Sequence, residues 1–143
     1  MKKSKFIKVP NIFFASVDLK MKFRELLNMD VPIDTQLKIF RISKKMREEG
    51  ETLDECRKNL FKKYQEKTEA GEPVTLENGT PKVDPEKEKE FVKDMEELYE
   101  GETELKGFSK ITIAEIIGKR DREKFTGKAS IFTSLEWLFD LGD

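Results

Sequence analysis

Cys56 is the only thiol in the chain, and there is no histidine. A lone cysteine closes neither an intramolecular disulfide nor a multi-cysteine metal site. The missing histidine removes the commonest general base, the commonest metal ligand and every triad built on imidazole. Cys56 also falls on the apolar series Leu53, Cys56, Leu60, Tyr64. That placement predicts a small buried hydrophobe rather than a reactive thiol. The carboxylates are the other candidates for chemistry. Their densest clusters are Glu48-Glu49-Gly50-Glu51 and Glu96-Glu97. Neither has the loop spacing of a calcium hand, and both read as solvated helix faces. Nothing among the 29 acids singles out a glycosidase pair. No Walker run or GxGxxG is present, and the 8 glycines are scattered singly. These residues predict a non-enzymatic protein with no catalytic group, no metal and no cofactor.

If no side chain is poised for catalysis, the elements must serve a surface. The 143 residues make one domain, and with 40% charged against 36% hydrophobic residues its core is modest. No apolar run approaches the roughly 18–20 residues of a membrane span. Met1–Pro10 is basic but lacks the apolar stretch of a secretory signal. A single thiol suits a reducing compartment. The expected class is α+β and mainly helical. Residues 5–9 read as a short strand ended by Pro10, and residues 11–29 as a helix. Val31-Pro32 opens a long helix over 33–66, capped by Asp34 or Thr35, with a kink near Gly50 one way to accommodate Thr52…Glu55. On it Leu37, Phe40 and Lys44 form one line and Ile39, Ile42 and Met46 another.

The Asn78-Gly79 dipeptide between short β-like runs predicts an exposed turn or small hairpin. Asp84-Pro85 announces a third helix to about residue 100, antiparallel to the long one. Residues 104–113 read as a strand pairing with 5–9, with Gly107 at a bulge. Thr112 and Glu115 match a capping box, so residues 113–117 read equally as a helical turn. Residues 118–127 read as a loop, and 133–141 as a last helix, apolar nearly all round, that docks on the body or on a partner.

Charge is the sharpest pattern. The net charge is −1, yet residues 1–67 hold 17 Lys+Arg and 10 Asp+Glu, and residues 68–143 hold 11 and 19. The basic side chains concentrate on the long helix, including Arg41, Lys44, Lys45 and Lys62. Pairing across the helical hairpin is the simplest reading, each pair contributing about 0–1 kcal/mol. Three other readings use the same charges: a basic face over 38–63 for nucleic acid, an acidic face that fills a basic cleft, and a head-to-tail contact between copies. Without a nucleic-acid motif or interleaved exposed aromatics, nucleic acid is the less favoured partner. Phe132, Trp137 and Phe139 lie near the end of the chain, where they serve either the core or an interface.

Leu26-Leu27, Val31-Pro32-Ile33, Leu60-Phe61-Lys62-Lys63-Tyr64, Phe91…Met95-Glu96-Glu97-Leu98 and Leu135-Glu136-Trp137-Leu138 follow one another around the Asn-Gly turn. In this order the chain resembles small uncharacterised proteins of tailed phages and prophages of Gram-positive bacteria. The resemblance implies a phage origin and a place in the host cytoplasm or the virion. It implies no activity and no functional residues. The expected role is protein binding, as a virion or assembly component or as an inhibitor of a host or defence protein.

Overall fold

In the computed structural model, which describes residues 6–118, 129–140 and 142, strand β1 (Phe6–Pro10) pairs antiparallel with β2 (Glu102–Lys106). Alternation decides the faces. Ile7, Val9 and Leu105 are buried, while Phe6, Lys8, Glu104 and Lys106 look outward. Lys8 stands opposite Glu104 in the register. The strand expected over 104–113 is shorter and divided. Gly107, at φ 87°, turns the chain after β2 instead of making a bulge. A second strand, β3 (Ile111–Thr112), pairs parallel with β4 (Phe139–Asp140).

The helix expected over 11–29 is also divided. Asn11–Ala15 form a 3₁₀ turn, and α1 (Val17–Leu27) starts afresh where the Ser16 hydroxyl accepts the Leu19 amide at 3.2 Å. Tertiary contact holds the break. Asn11 Nδ2 donates to the Leu98 carbonyl at 2.8 Å, and its Oδ1 accepts from Thr103 Oγ1.

Helix α2 (Ile33–Tyr64) spans 32 residues, about 48 Å at 1.5 Å per residue. The helix is unbroken through Gly50. Glycine there admits a neighbour: a Cβ at 50 would stand 3.0 Å from the Phe14 ring. The capping-box reading at Thr52 is not realised, because its hydroxyl donates back to the Glu48 carbonyl. Neither Asp34 nor Thr35 caps the start, where Pro32 precedes the helix with no side-chain cap. Thr35 is buried and donates to the Glu115 carbonyl instead. Ile39, Ile42 and Met46 enter the core with Ile7, Leu26, Leu105, Ile111, Leu135 and Leu138.

Residues 65–84 form a narrow arm with bridges at Gln65–Val83, Lys67–Pro73 and Thr75–Pro81, closed at its tip by Leu76 and Thr80 around Asn78-Gly79. Asp84 accepts the Glu86 amide at the 3₁₀ turn Pro85–Lys87, and α3 (Glu88–Glu100) follows. Helix α3 runs back along the second half of α2. Phe91 meets Phe61 at 4.9 Å and Tyr64 at 6.0 Å between centroids, and the Tyr64 hydroxyl donates to Asp94. The hairpin is as expected, but its glue is not. The ion pairs of α2 are mostly local, Lys45 with Glu48 and Glu49 and Asp54 with Arg57 and Lys58, and Lys63–Asp94 at 3.8 Å is the cross-seam pair among the described residues. Partners three or four residues apart on one helix are within reach of each other, so these charges are paired without α3.

Helix α4 (Ile113–Ile117) takes the helical alternative, with both halves of the Thr112–Glu115 capping box formed. The loop expected over 118–127 lies almost wholly outside the described residues. The last helix is displaced: α5 spans Ala129–Ser134, then Glu136–Leu138 make a 3₁₀ turn before β4. The docking helix expected over 133–141 is therefore corrected. Backbone pairing with β3 holds Phe139 and Asp140 extended, a partner that the local sequence does not reveal.

Candidate interaction surface

The solvent side of α2 holds the feature of interest. A helix packed on one side needs a single apolar stripe. Helix α2 has two. Ile39, Ile42 and Met46 are buried, whereas Ile33, Leu37 and Phe40 remain 67%, 46% and 49% exposed. Positions i, i+4 and i+7 lie on one helix face, so these three side chains form a stripe in water. Isolated exposed hydrophobes are ordinary, whereas an aligned set is a candidate contact surface.

Arg41, Lys44 and Arg47 border the stripe, all exposed and with no ion pair among the described residues. Lys45, a sequence candidate, is engaged by Glu48 and Glu49 at 3.7 and 3.6 Å. Lys62 is exposed but lies 18 residues beyond Lys44, about 27 Å along the helix, and belongs to a different region. The basic face expected over 38–63 is thus not continuous. Lys38 turns inward, donating to both Glu115 oxygens at 2.9 and 3.0 Å, to Ser109 Oγ and to the Lys110 carbonyl. Arg57 and Lys58 hold Asp54, and their hydrogen bonds lower its carboxyl pKa.

The aromatic candidates pack on their own chain. Phe139 is buried, and Phe132 meets it edge-on at 5.0 Å. Trp137 is half-buried against Phe13 at 5.5 Å. Cys56 departs from expectation in the other direction and is exposed. The second half of α2 is covered by α3 on one side only, so position 56 of the stripe turns to solvent.

Concavities among the described residues flank these elements. One, of about 660 Å³, lies between Lys8, Lys110, Glu115 and Trp137. Its central carboxylate is already committed. Partial burial pushes the Glu115 carboxyl up, but Lys38 and the Thr112 backbone and hydroxyl outweigh this and hold its pKa below the ordinary 4.5. Another, of about 490 Å³, is a groove between α1 and α2 floored by Phe14, Phe23, Leu27 and Met46. No group of three or more potential metal ligands occurs among the described residues, and no described helix is long and apolar enough to cross a membrane.

No family model, no curated protein and no solved structure matches the chain. The phage and prophage resemblance has no matched family behind it. The exposed stripe Ile33–Leu37–Phe40 is what sequence reasoning missed. Its signal was present as the second apolar line on α2, which one buried face does not require.

Proposed function

We propose that this chain is a non-enzymatic binding protein that acts through the outer face of the first half of α2, against a protein surface carrying acidic groups. The observation that carries the reading is the stripe Ile33, Leu37 and Phe40, exposed and bordered by Arg41, Lys44 and Arg47. Apolar anchors supply affinity, and the flanking cations select an acidic partner and speed encounter. In the setting that the sequence resemblance implies, that partner is a phage or host protein. A nucleic-acid accessory role is the second reading, favoured by the exposed guanidinium and ammonium groups of Arg41 and Lys44, which have no ion pair among the described residues, and, farther along the helix, of Lys62. The internal commitment of Lys38, Lys45, Arg57 and Lys58 weighs against it.

The test is size fractionation of an extract from cells that make the protein. The chain is expected in a complex heavier than its 16.7 kDa, and Arg41→Glu with Lys44→Glu should release it. A wild-type chain that runs free, or a complex indifferent to the double reversal, overturns the reading. A complex that nuclease dissolves transfers the face to nucleic acid.

A further inference from the structure

The electrostatic complement of this α2 face lies on the same chain. Glu96, Glu97 and Glu100 are exposed on the outer face of α3, with no ion pair among the described residues; exposed Lys89 and Lys93 share that face, which stays net acidic toward its C-terminal end, and Val92 on that helix is 45% exposed. They are left over because the α2–α3 seam is aromatic rather than ionic. The two patches do not meet within one molecule. Asp84, just ahead of α3, donates its amide to the Tyr64 carbonyl, and Tyr99, near the end of α3, lines a further concavity with Leu53. Leu53 is about 20 Å along α2 from Phe40. Two copies meeting α2 to α2 would oppose Arg41 and Lys44 to their own kind, which like-charge repulsion disfavours.

We propose that the occupant of the α2 face is a second copy of this chain, docking the outer face of its α3 in a head-to-tail contact. The proposal rests on the reading of α2 as a contact face and names its partner. In the head-to-tail form each copy offers its α2 face to one neighbour and its α3 face to another, so copies add in rings or filaments; the same two patches paired reciprocally would stop at a two-fold dimer. Exposed charges at its rim make it weaken with salt, since screening shortens to about 3 Å at 1 M.

The experiment is sedimentation velocity on the purified full chain over a concentration series, in roughly 0.05 M and roughly 0.5 M salt. The expected result is a sedimentation coefficient that rises with concentration at low salt and falls to the monomer value at high salt. Arg41→Glu/Lys44→Glu and Glu96→Lys/Glu97→Lys should each abolish association alone. Mixed in equal amounts they should restore it, because each supplies the charge that the other lacks. A wild-type chain that stays monomeric, association that survives either reversal, or a mixture that remains monomeric overturns the proposal. If the purified chain is monomeric while the complex in extracts still depends on Arg41 and Lys44, the second copy is excluded and the contact face stands.

Discussion

Glu115→Gln isolates one ion pair that fastens α4 to α2. The carboxylate accepts from Lys38 Nζ at 2.9 and 3.0 Å, and from the Thr112 amide and hydroxyl at 3.1 and 3.2 Å. Glutamine keeps an oxygen for Thr112, since a capping box accepts Glu or Gln. What it loses is the charge facing Lys38, whose side chain is 19% exposed. Hydrogen bonds to charged groups contribute about 1.5–3 kcal/mol. The Glu115 side chain is 33% exposed, and Lys38 retains Ser109 and the Lys110 carbonyl. Solvent screening then brings the expected cost to about 1–2 kcal/mol at pH 7. The pH dependence has a definite sign. A carboxyl whose folded pKa is lowered stabilises above its unfolded value near 4.5, and loses that contribution as pH falls through the folded value. The gap between wild type and Glu115→Gln should therefore be constant from pH 7 to about 5 and close on further acidification. Urea unfolding across that range, with unchanged m, is the assay. A gap below about 0.3 kcal/mol at pH 7, or one that persists unchanged at about pH 3, refutes the pairing.

Four further outcomes follow from the same packing. Ile42→Ala, at a fully buried position, should cost about 2–5 kcal/mol in chemical unfolding. Asn11→Leu strands the Leu98 carbonyl and the Thr103 hydroxyl and should cost about 2–3 kcal/mol by the same measurement. Gly50→Leu drives a side chain into the Phe14 ring and should lose about 1–3 kcal/mol, despite leucine's better helix propensity. Leu37→Ser with Phe40→Ser should cost no more than about 1 kcal/mol per site, because each side chain is about half exposed; a summed loss above about 3 kcal/mol would show them to be part of the chain's own core.

Local signals carried much of the fold. Proline at 32 marked the start of α2, the 3.6-residue period of Ile39, Ile42 and Met46 marked its buried face, and Thr112 with Glu115 marked the cap of α4. The strand pair β1–β2 was legible in part, in the alternation of residues 5–9 and 104–106, while residues 107–113 left the expected strand. What escaped was decided by tertiary choice. Two apolar lines on α2 were visible, but which one meets the core depends on β1, β2 and α4, not on the helix itself. Cys56 kept a helical apolar spacing beyond the reach of the core. Phe139 became a strand residue because Ile111 lies beside it, a neighbour 28 positions away. The charge polarity of the two halves was legible, yet its use was not. Neighbours on α2 neutralise one another first, and this leaves Arg41, Lys44 and Arg47 on one face and Glu96, Glu97 and Glu100 on another.

We propose that the outer face of α2, rather than a pocket, is where this chain meets its partner. A photo-crosslinking side chain at position 40, activated in the cells that make the protein, tests it directly. Discrete protein adducts are expected from position 40, absent from the same probe at exposed Asn59 and lost on Arg41→Glu with Lys44→Glu. No adduct from position 40, or equal adducts from 40 and 59, would contradict it.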